Sequence, residues 1–219
     1  MTNPKMEKSK RSSKTNIHTL AIIAVLGAIE IVLSVTPLGY IPLGVTRATT
    51  IHVPVIIGAI LLGPMAGGIL GGIFGLTSFL SNTFTPTLTS FVFTPFYPLP
   101  GQNSGDLRSI LICFVPRILI GVCAGYLFKL AKKISGKKNI SFVYLVLIGI
   151  AGSLINTLLV MSGIYFFFGQ TYSVAKGIEP SQLLTYIFGT VIAVNGILEA
   201  VTAGILVGAI TKPLLKIIK

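Results

Sequence analysis

The sequence predicts an all-α membrane protein, a bundle of six transmembrane helices with both termini in the cytoplasm. Composition is the first observation, because 53% of the 219 residues are hydrophobic and 10% are charged, against about 25% in globular domains. The second is charge distribution, since five, five and three of the 17 lysines and arginines form three short blocks. Long apolar stretches separate these blocks, which is the pattern of helices that cross a bilayer with their basic flanks inside.

The first half of the chain contains three predicted helices. An apolar helix needs about 20 residues to cross the hydrocarbon core, and Ile17–Val35 meets this length with one charge, Glu30. Residues 51–80 form a longer apolar run that Gly63 and Pro64 interrupt. Because proline opens helices but disrupts their interiors, we predict two short helices joined by a tight turn. A single kinked helix is the alternative.

The second half contains the other three spans. A long loop rich in proline and aromatic residues is expected at 81–108, and a polar connection at 170–182. The apolar runs outside these connections predict spans at 110–130, 140–168 and 183–210.

The basic blocks test the number of spans. With six spans and a cytoplasmic N-terminus, all three blocks lie in the cytoplasm, whereas five spans would place the C-terminal lysines outside. The chain therefore divides into a basic cytoplasmic tail at 1–16, a six-helix transmembrane domain at 17–211 and a second basic tail at 212–219.

Glycines recur every four residues in the third predicted helix, where they form two parallel ladders. The members are Gly63, Gly67, Gly71 and Gly75 in one ladder, and Gly68 and Gly72 in the other. Small residues at this spacing let a neighbouring helix approach the backbone. We predict close helix packing here, with the lining of a substrate path as the alternative.

A few polar side chains remain inside the apolar segments, and these are the candidates for a binding site. Polar groups at bilayer depth are costly and usually face a cavity or a partner. The substrate-binding candidates are Arg117, His52, Asn195, Asn156 and Glu199. A helical rise of 1.5 Å per residue places them in the outer half of the bundle, with Arg117 roughly 10 Å below the surface.

Arg117 carries the strongest chemical argument, because its guanidinium binds a carboxylate or phosphate bidentately and stays charged. Structural roles are the alternatives: Glu30 could pair with Arg117, the asparagines could bond across helices and His52 could cap a helix. The loop at 81–109, together with the aromatic residues at 165–172, could close over such a site.

Several functions are disfavoured by absent patterns. The sequence has no phosphate-binding G-x-x-x-x-G-K-[ST], no hydrolase motif and no His/Cys cluster with metal-ligand spacing. We therefore expect no catalysis, no cofactor and no metal site. We also expect no nucleic-acid partner, because the basic residues flank apolar segments.

A membrane enzyme acting on lipid or peptide and a ligand-free scaffold are the alternatives. Without an internal repeat or an ATP site, the energy for transport would come from partner proteins.

Two sequence segments resemble one known family. The first helix carries an A-x-x-x-A pattern at Ala24 and Ala28, with Ala21 one turn earlier, and residues 48–64 read ATTIHVPVIIGAILLGP. Together with six short spans, these segments resemble the substrate-binding S component of an energy-coupling factor (ECF) vitamin transporter. The second segment resembles the subgroup that includes pantothenate carriers. The similarity covers residues 15–212.

The resemblance implies partners and a location. Ala24, Ala28 and Ala21 would dock on a membrane coupling subunit, and two cytoplasmic ATPase subunits would use the ATP. The chain itself would need no cofactor and would bind a vitamin at the outer face of the plasma membrane. Pantothenate is favoured, because an anion with hydroxyl and amide groups suits the candidate residues. Another vitamin or precursor, of the riboflavin, folate or pyridoxine type, is the alternative. The metal-ion branch, which uses an N-terminal histidine-rich site, is excluded.

Overall fold

The computed structural model describes residues 4–43, 46–136 and 140–217, and it describes side chains from residue 17 onward except for those of residues 40–48. The regular secondary structure of the described part is helical apart from one short antiparallel hairpin. Its helices are α1 Pro4–Val35, α2 His52–Leu62, α3 Pro64–Phe84, α4 Arg108–Ser135, α5 Phe142–Lys176, α6 Leu183–Tyr186 and α7 Ile197–Ile217. The hairpin strands are β1 Tyr40–Leu43 and β2 Thr46–Thr49, and a π-helical segment, Ile187–Gly196, joins α6 to α7.

Five helical stretches are long and apolar enough to cross a membrane, so the membrane-embedded character is confirmed. They are Ile17–Val35, Pro64–Phe84, Arg108–Ser135, Phe142–Lys176 and Pro180–Ile217. By contrast, α2 has only 11 residues, or about 16 Å of helix. It lies inside the bundle, with residues 52–60 all buried. The two-helix interpretation of residues 51–80 is confirmed, because Gly63 adopts φ 101° in the turn and Pro64 opens α3.

Some connections between the helices differ from the predictions. The hairpin was not predicted, and it occupies the connection between α1 and α2. The polar connection predicted to begin at residue 170 is wrong, because α5 continues to Lys176 through a kink at Phe168. α1 and α7 run without a break through residues 16 and 212, so the division into tails and transmembrane domain stays a prediction about the membrane boundary.

The glycine ladder packs α3 directly against α4, as predicted. A Cβ added to Gly71 would lie 2.1 Å from the carbonyl oxygen of Arg117, and one added to Gly67 would lie 2.5 Å from that of Gly121. The second ladder differs, since Gly72 has no atom within 4 Å of an added Cβ. Gly67 and Gly71 therefore form a backbone-to-backbone interface, which a side chain of any size would disturb.

α5 and α7 form a second close pair. An added Cβ on Gly149 would lie 2.8 Å from Gly204 Cα, and one on Gly208 would lie 2.8 Å from Val146. The neighbouring contacts along both pairs show that each pair is antiparallel. At one end of the bundle, Lys212 Nζ donates to the carbonyl of Ile140, which ties the last helix to the start of α5.

Candidate functional site

The candidate residues lie next to a packing layer where three helices meet. An added Cβ on Gly152 of α5 would lie 2.7 Å from Ile56 Cδ1 of α2 and 3.7 Å from Ile120 Cγ2 of α4. Ile56, Ile120 and Gly152 therefore lie at the same height along the axis of the bundle. α2 and α4 both run toward the lysine-rich end, whereas α5 runs away from it.

One turn from this level, three candidate side chains come to the same height. His52 precedes Ile56 by one turn, Arg117 precedes Ile120 by nearly one turn, and Asn156 follows Gly152 by one turn. Because α5 is antiparallel to α2 and α4, all three steps lead toward the end opposite the lysines. The structure therefore brings His52, Arg117 and Asn156 to one layer, and all three are buried.

The last helix contributes the other two candidates. Gly196 packs against Thr157, with an added Cβ 3.4 Å from Thr157 Cγ2, so Asn195 lies at the level of Asn156. Asn195 belongs to the π-helical segment, and π-turns inside α-helices occur often at functional sites. Glu199 lies one turn further along and is buried as well. We call the five residues His52, Arg117, Asn156, Asn195 and Glu199 the polar layer.

Arg117 lies between aromatic rings. Its guanidinium carbon is 4.9 Å from the ring centroid of Phe93 and 5.4 Å from that of Phe74. One terminal nitrogen, Nη1, donates to the carbonyl of Ile112 at 2.9 Å. Cation–π contacts of this kind fix the plane of the guanidinium.

Glu199 links the last helix to the hairpin. Its Oε1 accepts a hydrogen bond from the backbone N–H of Thr49 at 2.5 Å, across 150 residues of sequence. The polar layer therefore contains both a cation and an acidic group, and the β2 backbone holds the acidic group in place.

Two other members of the polar layer have unused hydrogen-bonding atoms. Both ring nitrogens of His52 and Oδ1 of Asn156 have no hydrogen-bond partner among the described residues. Buried polar atoms are nearly always satisfied, so such atoms need an explanation such as water or a ligand. Within the described residues, His52 therefore does not cap a helix through a side-chain hydrogen bond, and Asn156 Oδ1 accepts no hydrogen bond from another helix.

Glu30 does not form the structural pair that the sequence left open. Both of its carboxylate oxygens are buried and have no hydrogen-bond partner in the described part of the chain. Arg117 lies nine residues into α4, or about 14 Å from its first residue, and its depth below the membrane surface stays a prediction.

The connection between α3 and α4 covers the end of the bundle above Arg117. Ser90, Phe91, Val92 and Thr94 are fully buried there. The ring of Phe91 meets that of Phe168 edge-on, with centroids 5.9 Å apart. Phe168 belongs to the aromatic group at 165–172 that the sequence placed opposite this loop, whereas Phe166 of that group is 78% exposed. Closure of the loop over the site stays a prediction.

At the edge of this covering segment, Asp106 and Arg108 form a salt bridge at 2.5 Å. The Arg108 side chain, by hydrogen bonding, lowers the pKa of the Asp106 carboxyl below its ordinary value. This pair fixes the entry of the chain into α4.

Sequence reasoning missed two parts of the site. The Thr49 N–H lies in a hairpin that the sequence did not predict, and no pattern signals a backbone donor. Phe93 could have been suspected, because it belongs to the aromatic group in the loop, but its stacking on Arg117 depends on how the loop folds back. Among the described residues, no group of three or more His, Cys, Asp or Glu side chains could hold a metal ion.

A separate surface carries the predicted docking alanines. Ala21, Ala24 and Ala28 are all exposed on α1. Ala21 also borders an apolar groove of about 710 Å³ that α1 forms with α2 and α7. Pro54, Ile57 and Leu206 lie on its other walls. This surface is separate from the polar layer, none of whose members lines the groove.

Comparison with known proteins gives consistent results. The family described as "ECF transporter, substrate-specific component" matches residues 18–211. The pantothenic acid transporter PanT of Lactococcus lactis subsp. cremoris is 35% identical over 212 residues, which cover 94% of this chain and 97% of the relative. The pantothenate transporter PanT of Leuconostoc mesenteroides is 34% identical over 187 residues, which cover 82% and 83% of the two chains.

Proposed function

Because the chain belongs to the family of ECF transporter substrate-specific components, we propose that its own substrate is pantothenate, bound in the polar layer. Members of this family are transporter components. The chain would bind the vitamin and leave the energy-consuming step to partner subunits. The relatives named pantothenate transporters at 35% and 34% identity support this substrate over another vitamin.

The observation that carries the proposal is the buried guanidinium of Arg117. Pantothenate is a carboxylate that also bears an amide and hydroxyl groups. An arginine held between two aromatic rings suits the carboxylate, because its fork of donors matches two carboxylate oxygens. His52, Asn156 and Asn195 are the groups that would bond the amide and hydroxyls, and two of them have unused atoms.

The orientation in the membrane is also part of the proposal. The helices alternate in direction if the hairpin and α2 together count as one crossing, which would make six crossings. The turn at Gly63 and Pro64 lies beside Gly125, near the lysines that follow in α4. Lysine-rich ends belong in the cytoplasm, so both termini would lie there. The end covered by residues 90–94 would then face the outside, and the vitamin would enter from that side.

For the partners, we propose that the exposed alanines of α1 form the docking surface for a membrane coupling subunit, with two ATPase subunits completing the complex. Exposed alanines remove side-chain bulk from one stripe, which allows another helix to approach closely. The adjacent groove offers a complementary apolar recess.

Binding by the purified chain tests the substrate. The wild-type protein in detergent should bind pantothenate without ATP, and it should show a larger thermal shift with pantothenate than with riboflavin, folate or pyridoxine. Arg117→Ala should weaken pantothenate binding by more than about tenfold, or about 1.4 kcal/mol. Arg117→Lys is the matched control, because lysine keeps the positive charge and lacks the paired N–H donors that bind both oxygens of a carboxylate.

Two outcomes would contradict the proposal. A larger thermal shift with a vitamin other than pantothenate would reassign the substrate. Equal pantothenate affinities for wild type and Arg117→Ala would remove Arg117 from the site.

A further inference from the structure

The buried side chain of Glu199 holds the strand from which the chain enters α2. Its Oε1 accepts the backbone N–H of Thr49, the last residue of β2, at 2.5 Å. β2 also packs against α7 and the π-helical segment that precedes it. The carboxylate therefore fixes a backbone position three residues before His52.

The register of the hairpin explains why the Thr49 N–H is available to Glu199. Thr49 lies opposite Tyr40, and the next residue, Thr50, donates its N–H to the carbonyl of Gly39 at 3.1 Å. Hydrogen-bonded and non-hydrogen-bonded pairs alternate along an antiparallel ladder, so the N–H of Thr49 points away from β1. β1 offers no acceptor on that side, and Glu199 supplies one from α7.

The residues after Thr49 lead directly into α2 with little freedom. Thr50 Oγ1 donates to the carbonyl of Leu38 at 2.6 Å, and the N–H of Val53 donates to the carbonyl of Thr50 at 3.0 Å. His52 is the first residue of α2 and lies within this bonded segment. A displacement of Thr49 would therefore be passed on to His52.

The placement of the His52 ring depends on the backbone that carries it. The ring is 1% exposed, and neither of its nitrogens has a hydrogen-bond partner among the described residues. The ring is thus oriented by packing and by its backbone. Because N–H···O hydrogen bonds need donor–acceptor distances of about 2.7–3.2 Å, a shift of about 1 Å would cost His52 its bond to a ligand.

We propose that Glu199 is a positioning residue, which fixes the entry of the chain into α2 and thereby sets His52 for the substrate without contacting the substrate itself. This inference rests on the proposed function, in which His52 bonds the amide or hydroxyl groups of pantothenate. It separates the roles of two members of the polar layer, since His52 meets the ligand and Glu199 acts through the backbone.

A double-mutant cycle on pantothenate affinity tests the proposal. Isothermal titration would measure dissociation constants for wild type, Glu199→Ala, His52→Ala and the double variant. Each single substitution should weaken binding by about tenfold, or about 1.4 kcal/mol. Because Glu199 acts through His52, the double variant should bind no more than about threefold more weakly than His52→Ala. Two independent contacts would instead multiply to a loss of about 100-fold.

Glu199→Gln is the conservative variant, because its amide oxygen can accept the same N–H. It should keep pantothenate affinity within about threefold of wild type. Hydrogen–deuterium exchange of the ligand-free protein gives a second measurement: residues 49–53 should exchange faster in Glu199→Ala than in wild type, and no faster in Glu199→Gln. Glu30→Gln is the matched control and should change neither readout, since Glu30 is a buried acid whose oxygens accept no hydrogen bond within the described part of the chain.

Three results would overturn the inference and leave the proposed function standing. Unchanged affinity in His52→Ala, or losses that multiply in the cycle, would show that Glu199 does not act through His52. A loss of more than about tenfold in Glu199→Gln would show that the charge is needed, even if Glu199→Ala does not fold. Unchanged exchange at residues 49–53 in Glu199→Ala would show that the carboxylate does not hold this segment. Absence of pantothenate binding by wild type would instead overturn the proposed function.

Discussion

Replacing Gly71 by alanine tests whether the backbone contact between α3 and α4 positions Arg117. The added Cβ would lie 2.1 Å from the carbonyl oxygen of Arg117 and 2.8 Å from Ile118 Cα. Both neighbours are backbone atoms, which cannot rotate away as a side chain can. To reach ordinary contact at 3.4 Å, the two helices must separate locally by about 1.3 Å.

The magnitude follows from two opposing effects. Overpacking of this kind costs about 1–3 kcal/mol, while the change from glycine to alanine in a helix gains about 1 kcal/mol. Gly72→Ala is the matched control, because it receives the same gain and its Cβ would meet nothing within 4 Å. The gain cancels between the two variants, so Gly71→Ala should be less stable than Gly72→Ala by about 1–3 kcal/mol.

The assay is unfolding of both variants in the same detergent, followed by pantothenate titration. Gly71→Ala should also bind the vitamin more weakly, since the segment that carries Arg117 shifts. If Gly71→Ala is as stable as Gly72→Ala, the close contact does not constrain the helices, and the reasoning from backbone packing to site geometry is refuted.

Two further predictions concern the docking surface and the covering segment. Ala24→Leu should leave pantothenate affinity unchanged and abolish uptake by vesicles that contain the coupling and ATPase subunits. Val143→Leu, a control at an exposed position of α5 that does not line the groove, should leave uptake intact. Uptake that survives Ala24→Leu would refute the docking role. Asp106→Asn should lower the melting temperature slightly at pH 7, because Arg108 lowers the pKa of Asp106 in the folded protein. The difference between variant and wild type should shrink as the pH falls below the ordinary carboxyl pKa of about 3.9 and vanish once the pH is below the lowered pKa of folded Asp106. A melting-temperature difference that stays constant down to low pH would show that charge is not the cause.

The parts of the fold that depend on local chemistry could be predicted from the sequence. Proline disfavours the interior of a helix and glycine before it permits a turn, so the turn at Gly63 and Pro64 was foreseeable. The ladder through Gly67 and Gly71 removes side chains along one stripe of α3, so close packing on a neighbouring helix was also foreseeable. The choice of α4 as that neighbour, and the depth of each contact, depend on how the apolar segments assemble, which no local pattern encodes.

The candidate site shows the same division. The cost of burying Arg117, Glu199 and the asparagines in lipid made each of them a candidate. Their meeting in one layer depends on the relative heights of four helices. Thr49 was beyond prediction because its role uses a backbone N–H in a hairpin formed by residues with no marked strand pattern. The kink at Phe168 hid the end of α5, since the polar residues after it resemble a loop.

The shortness of α2 also bears on how the protein enters the bilayer during synthesis. A segment of 11 apolar residues is too short to be retained by the insertion machinery as an independent crossing. In lipid, its exposed backbone ends would lack hydrogen-bond partners at a cost of several kcal/mol each. The turn at Gly63 folds α2 back along α3, so the two would be integrated together as a helical hairpin. Lengthening the turn at Gly63 would therefore interfere with biogenesis before it affected vitamin binding.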